Sequence, residues 1–196
     1  LISTNLAGLL IELMCNIAYK YSAPIFVCDF IVKLYLIFLV GWSILFLYYV
    51  FIITYDNYKE FREKMISITN ISYIFLSFAL IFLPVEHFKD GNIIYAKGMA
   101  VTMTYFFTGI CIFIMLFVML SNIRKIKSKK YLPLISFVVL ATLVSLLQAI
   151  YPQLLLITTM ETYVMLVMYF TIENPDLKVI TELNIAKDQA EKANQA

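Results

Sequence analysis

Six polar side chains interrupt the long apolar runs of this sequence, and they are the residues best suited to binding chemistry. They are Glu12, Asn16, Asp29, Lys33, Gln148 and Glu161. If these runs cross a membrane, an ionised group near the middle of one costs about 2.5–3.5 kcal/mol on insertion scales. Each such group therefore needs a structural or a functional reason. Carboxylates and amides in an apolar setting suit the recognition of a cation or of a hydrogen-bonding ligand.

The spacing of these residues predicts that they act in pairs. Glu12 and Asn16 are four residues apart and would share one helix face, as would Asp29 and Lys33, whose opposite charges could pair. We hypothesise that the six residues lie at similar depth and converge on an outward-facing cavity. That cavity would receive a small ligand or a membrane-derived stimulus, with Glu12 and Glu161 as its anionic lining. The alternative is that each group only joins helices or reaches the headgroups.

Other kinds of site are not expected. The sequence contains no Gly-rich phosphate loop and no Ser/His/Asp set, so we expect no catalytic residues in it. Cys15, Cys28 and Cys111 all lie in apolar segments, which favours buried thiols over disulfides. His87 is the single histidine and has no Cys, Asp or Glu at metal-ligand spacing, so it is interpreted as an ordinary loop residue. We predict no metal and no cofactor.

The elements that must position these residues are membrane helices. The chain is 62% hydrophobic and 14% charged, and its charges fall between the apolar runs, which a soluble domain of 196 residues could not bury. Hydropathy and breaker residues predict spans at 2–18, 27–54, 66–84, 98–121, 132–150 and 153–172. The predicted fold is therefore all-α: residues 1–172 form a polytopic bundle of about six transmembrane helices, solvated by a lipid bilayer.

The distribution of basic residues predicts the orientation of the bundle. Loops 55–65 and 122–131 contain eight Lys and Arg residues, whereas the alternate connections contain three, namely Lys20, Lys89 and Lys97. Because Lys and Arg in short loops are retained in the cytoplasm, the first set and the C-terminal tail are predicted to be cytoplasmic, in a multi-pass protein of the cell membrane. The basic loop near residue 127 is expected to meet anionic headgroups, and no nucleic-acid partner is predicted.

The last 24 residues, 173–196, change to a water-soluble composition. Asn174-Pro175 is predicted to end the last span, and Asp176 is well placed to cap a new cytoplasmic helix. Within it, apolar positions follow spacings of 4, 3, 4 and 3, the seam of a two-stranded coiled coil: Val179, Leu183, Ala186, Ala190 and Ala193. We therefore predict a homodimer through this helix. A single solvated amphipathic helix is the alternative.

The tail also resembles a known junction. Glu173-Asn174-Pro175-Asp176, followed by the Ala/Glu/Lys-rich residues 186–196, is similar to the linker of bacterial sensor histidine kinases. The membrane part resembles, more loosely, the six- or seven-span N-terminal regions of these kinases and of diguanylate cyclases. The resemblance implies a two-component sensor whose input bundle transmits a stimulus through Asn174, Pro175, Asp176, Val179, Leu183 and Ala186. The catalytic output domain of the phosphorelay would lie beyond Ala196, and no kinase residue can be assigned here.

The extent of the protein and its functional class each allow another interpretation. The chain begins at Leu1 inside an apolar stretch, so we expect it to be a piece of a longer protein, in which a further span could precede Leu1. A small transporter or channel is the alternative from another class. It would need polar groups at all depths, whereas the predicted inner halves of the spans contain mainly Ser, Thr and Tyr.

Overall fold

The computed structural model describes residues 2–55, 58–90, 93–122, 132–151, 156–170 and 183–187. The described part of the chain is predominantly helical, as predicted, with one β-hairpin inserted between the third and fourth helices. The elements are α1 (Ile2–Lys20), α2 (Ile25–Thr54), α3 (Lys59–Phe82), β1 (Glu86–Asp90), β2 (Ile93–Lys97), α4 (Met99–Ser121), α5 (Leu132–Ile150) and α6 (Ile157–Met168). A further helical stretch covers residues 183–187.

Three of these helices, α2, α3 and α4, are long and apolar enough to cross a membrane. The described apolar parts of α5 and α6 are shorter, at Leu134–Leu147 and Ile157–Met168. Each of the six predicted spans overlaps a described helix, although the ends of the helices are not always the predicted ones, and the count of six membrane crossings stays a prediction. The predicted span at 66–84 overlaps a helix that begins earlier, at Lys59, and ends at Phe82. The charged residues from Lys59 to Lys64 are therefore part of this helix.

Five helices form a closed ring. α1 packs on α2, α2 on α4, α4 on α5, α5 on α6, and α6 returns to α1, while α3 lies against the outside of α2. Because α2 packs on α1, α3 and α4, it contains more buried residues than any other described helix, 15 in all, whereas α3 contains a single one, Leu80. Side chains from all five helices of the ring line its interior.

The ring has the distribution of polarity expected of a bundle in lipid. The outward surfaces of the ring and of α3 carry large exposed apolar side chains, among them Leu10 on α1, Phe75 on α3, Phe113 on α4, Leu146 on α5 and Leu166 on α6. Its buried polar side chains are Asn5, Ser43, Thr54, Thr104, Thr158 and Glu161. Exposed apolar surface on every helix would cause a soluble protein to associate, whereas lipid solvates it at no cost.

Helix α3 is attached to α2 by close and polar contacts. Gly41 allows the Tyr73 ring to approach, since a Cβ on Gly41 would lie 3.1 Å from the Tyr73 hydroxyl oxygen. About two turns further along α2, the Tyr48 hydroxyl donates to Asn70 Oδ1 at 2.5 Å. These contacts attach α3 to the outside of the ring.

The hairpin closes one end of the bundle, which we call the hairpin end. Strands β1 and β2 pair antiparallel from Glu86↔Lys97 to Asp90↔Ile93. Gly98 then turns the chain from β2 into α4 with a φ of 113°, and a Cβ there would lie 3.0 Å from the carbonyl oxygen of Pro84. The α1–α2 turn lies at this end too, because His87 of β1 is hydrogen-bonded to Tyr19 near the end of α1 and to Asp29 near the start of α2.

Candidate functional site

Two adjoining cavities lie inside the ring toward the hairpin end. The first, the Glu12 pocket, has a volume of about 100 Å³ and is lined by side chains that include Glu12, Asn16, Tyr19, Tyr35, Tyr95 and Tyr105. The second, the Glu161 chamber, has a volume of about 30 Å³, and its lining includes Trp42, Ser43, Thr104, Tyr105, Phe137 and Glu161. Leu39, Thr104, Tyr105 and Ile157 line both cavities, which are therefore neighbours.

Glu12 is held where α1 and α6 meet. The Thr158 hydroxyl of α6 donates to Glu12 Oε2, and the Asn5 side-chain amide of α1 donates to Thr162 Oγ1 at 3.1 Å. The pairing of 12 with 158 and of 5 with 162 is the register of two antiparallel helices. Glu12 thus joins two helices, as the alternative interpretation expects, and it also lines a pocket, as the cavity hypothesis expects.

Glu161 has a different environment. Its side chain is 2% exposed, and its Oε2 has no hydrogen-bond partner among the described residues. Trp42, which is 1% exposed, also has its indole Nε1 without a described partner, and it lines the same chamber. A buried polar atom left unpaired costs about 1–3 kcal/mol. The chamber therefore contains one acceptor and one donor whose pairing is incomplete, in a volume large enough for a water molecule or a small cationic group.

The lining of the two cavities combines carboxyl groups with aromatic rings. None of the described side chains that line them is Lys, Arg or His. Four tyrosines surround the Glu12 pocket, namely Tyr19, Tyr35, Tyr95 and Tyr105. Aromatic faces attract cations, as carboxylates do. This part of the site was not predicted, because the sequence gives no signal that these tyrosines come from four separate elements to one place.

Asp29 and Lys33 do not form the predicted pair in the described part of the molecule. Lys33 Nζ donates to the carbonyl oxygen of Ile81 at 2.7 Å, and Asp29 Oδ1 accepts from His87 Nε2 at 2.5 Å. The last carbonyls of α3 lack intrahelical partners, so they attract the ammonium group. Asp29 and Lys33 are absent from the described linings of both cavities, and they anchor the hairpin end instead.

His87 has a structural role that the sequence did not indicate. Besides its bond to Asp29, its Nδ1 lies 2.8 Å from the Tyr19 hydroxyl, and the two rings meet edge to face at 5.6 Å. Since a carboxylate only accepts, Nε2 bears the hydrogen, and a neutral imidazole then accepts at Nδ1 from Tyr19. One side chain of β1 therefore ties the hairpin to both α1 and α2, beside the Glu12 pocket.

A layer of stacked rings closes the Glu161 chamber on the side away from the hairpin. Trp42 stacks on Phe46 at 4.6 Å between ring centroids, Phe46 stacks on Phe137 at 4.3 Å, and Trp42 lies 5.6 Å from Phe137. All three side chains are among the fully buried ones. This layer separates the polar interior at the hairpin end from the rest of the bundle.

The remaining predicted residues are described only in part. Asn16 is exposed and lines the Glu12 pocket. Gln148 lies in α5, and its side chain is outside the described part. Leu183 and Ala186 lie in the exposed helical stretch 183–187, whereas Asn174, Pro175, Asp176 and Val179 lie outside the described residues. The coiled-coil seam and the homodimer stay predictions.

In the described part of the chain, no three His, Cys, Asp or Glu side chains come together as a metal site would require. The interior contains a pair of carboxyl groups, hydroxyl oxygens and aromatic faces, which are groups able to bind a cation or a hydrogen-bonding ligand. A scan of protein-family models, a search of curated proteins and a search of solved structures found no match to this chain, so the resemblance to histidine-kinase membrane regions stays a prediction from the sequence.

Proposed function

We propose that this chain is the signal-input module of a bacterial sensor histidine kinase, and that its stimulus binds inside the helix bundle. The observation that carries the proposal is Glu161: a carboxyl group that is 2% exposed, with one oxygen unpaired, in a chamber within a bundle whose outer surface is apolar. Such a group costs stability in the empty protein. A bound ligand with a donor or a positive charge offsets that cost.

The concentration of polar groups at one end supports a receptor in preference to a permeation path. Glu12, Asn16 and Glu161 lie toward the hairpin end, and the layer of Trp42, Phe46 and Phe137 lies behind the chamber. A path for ions or solutes would need polar lining through the whole bundle. The stacked aromatic rings instead place an apolar layer across the interior.

The position of Glu161 on α6 provides the link to output. α6 is the last helix before the predicted Asn174-Pro175 joint and the cytoplasmic tail, and it contacts α1 through Thr158 and Thr162. A ligand that binds one packing of α6 better than another shifts the population toward that packing. In this proposal six helices cross the cell membrane, the hairpin end faces outward, and the shift of α6 reaches a dimeric tail.

The test is a chimera in which residues 1–196 are joined to the catalytic core of a histidine kinase with a known reporter gene. We expect Glu161→Gln and Glu12→Gln to change basal or stimulated reporter output about fivefold or more, the size of a typical coupling free energy. Glu86→Gln, an exposed carboxylate on the hairpin, is the matched control and should leave output unchanged. Equal output from all four proteins, at equal amounts in the membrane, contradicts the proposal.

A further inference from the structure

A third cavity lies on the outside of the ring, between α4 and α5. This cleft has a volume of about 530 Å³, and its lining includes Tyr105, Gly109, Ile112, Phe113, Leu116 and Ser145. Most of these side chains are apolar. At Gly109 an added Cβ would meet no atom within 4 Å, so the cleft is open there. Its volume lies in the range of small-molecule sites.

The cleft adjoins the Glu161 chamber. Tyr105 and Ser145 are the two described side chains that line both the cleft and the chamber, and Tyr105 lines the Glu12 pocket as well. These two side chains, one from α4 and one from α5, therefore separate an apolar surface cleft from a buried carboxyl group. A molecule with an apolar chain and a polar end could occupy both spaces at once.

We propose that the ligand is a single-chain amphiphilic amine that enters from the bilayer between α4 and α5. Its chain lies in the cleft, and its ammonium group passes Tyr105 and Ser145 to reach Glu161. This identity of the ligand rests on the proposed function, because it names what the input module binds.

The chemistry of the chamber selects a cation. The Ser43 and Thr104 hydroxyl groups donate to the backbone carbonyls of Leu39 and Ala100, at 3.1 and 3.0 Å, so their oxygens present lone pairs to a ligand. Glu161 adds a carboxyl oxygen without a described partner. An ammonium group supplies three donors and a positive charge to such a set, whereas an anionic head would meet a carboxyl group and no described basic side chain.

Trp42 makes binding directly measurable. It is the only tryptophan of the sequence, and it lines the chamber. With the whole chain in lipid nanodiscs, we expect decylammonium to change Trp42 emission in a saturable manner. Decanol and decanoate have the same chain without the positive charge, and ethylammonium has the charge without the chain. Each should bind about tenfold more weakly or not at all, because each lacks one of the two sets of contacts.

Three variants separate the entrance from the chamber. Gly109→Phe adds a ring at the open part of the cleft, where a Cβ would meet no atom within 4 Å, and it should weaken decylammonium binding about tenfold. Ile110→Phe adds the same ring at the next position, which is 40% exposed and outside the cleft lining, and should stay within about twofold of the parent. Glu161→Gln should remove the preference for decylammonium over decanol. Circular dichroism and monodisperse elution verify that each variant is folded.

The outcomes distinguish this inference from the proposed function. If Gly109→Phe binds decylammonium as the parent does while Glu161→Gln does not, entry between α4 and α5 is wrong, and the chamber still binds a cation. If no amine changes Trp42 emission, or decanol binds equally well, the amphiphilic amine is wrong and the chamber contains water or another ligand. If decylammonium binds as expected but the chimera of residues 1–196 gives no signal, the site is correct and the signalling function is wrong.

Discussion

At the scale of single residues, the two interior carboxyl groups differ in their hydrogen bonds and in their burial. Glu12 accepts a hydrogen bond from Thr158 and contributes to the contact between α1 and α6. Glu161 is more deeply buried and has an oxygen without a described partner. A group that only stabilised the fold would be expected to have its hydrogen bonds satisfied. The contrast is consistent with a structural role for Glu12 and supports the binding role proposed for Glu161.

This contrast predicts opposite effects of the same substitution on stability. Glu161→Met removes an unsatisfied buried group at similar volume, and it should raise the free energy of unfolding by about 1–3 kcal/mol. Glu12→Met leaves the Thr158 hydroxyl without its acceptor and should lower the free energy of unfolding by about 1 kcal/mol. Unfolding by detergent titration of the purified protein measures both. A loss of stability in Glu161→Met as large as in Glu12→Met would show that Glu161 has partners in the ligand-free protein.

At the scale of elements, the hairpin is the clearest case of a segment attached by few contacts. His87 of β1 is bonded to Asp29 of α2 and to Tyr19 of α1, and Gly98 fixes the turn into α4. Tyr95 and Ala96 of β2 line the Glu12 pocket. His87 and Gly98 thus help to position the hairpin over the pocket, together with Val85 and Ala96, which pack against the core.

Removal of the histidine contacts should loosen the hairpin without unfolding the bundle. In His87→Ala, the two lost hydrogen bonds should reduce the protection of amides in residues 86–97 by about 1–3 kcal/mol. Hydrogen–deuterium exchange with mass spectrometry measures this, with Lys89→Ala as the control at an exposed position of the same strand. Unchanged protection in His87→Ala would mean that strand pairing alone holds the hairpin in place.

The sequence predicts elements better than it predicts partners. Each of the six predicted spans overlaps a described helix, because long apolar runs bounded by Pro and charged residues favour helices in lipid, but the hairpin between α3 and α4 was not predicted. The predicted pairing of Asp29 with Lys33 is not observed. Spacing along one helix reveals the neighbour four residues away, and it does not reveal competing groups on other elements. His87 lies 58 residues from Asp29, and Thr158 lies 146 residues from Glu12. Only the packing of the ring brings such residues together.

At the scale of the whole molecule, the bundle has two chemically different ends. The hairpin end contains the cavities, the hairpin and the carboxyl groups, and the layer of Trp42, Phe46 and Phe137 separates it from the opposite end. A sensor requires that the stimulus arrive on one side of the membrane and the output leave on the other. The proposed function therefore requires that the hairpin end and the C-terminal tail lie on opposite sides of the membrane.

Labelling of single cysteines in intact cells tests this most directly. In a chain with Cys15, Cys28 and Cys111 replaced by alanine, cysteine is introduced at Lys89 in the hairpin, at Tyr151 after α5, and at Lys187 in the stretch 183–187, all exposed positions. The six-span sensor predicts that an impermeant maleimide labels positions 89 and 151 in intact cells, and position 187 only after permeabilisation. Labelling of position 187 from outside, or protection of position 151, would contradict it.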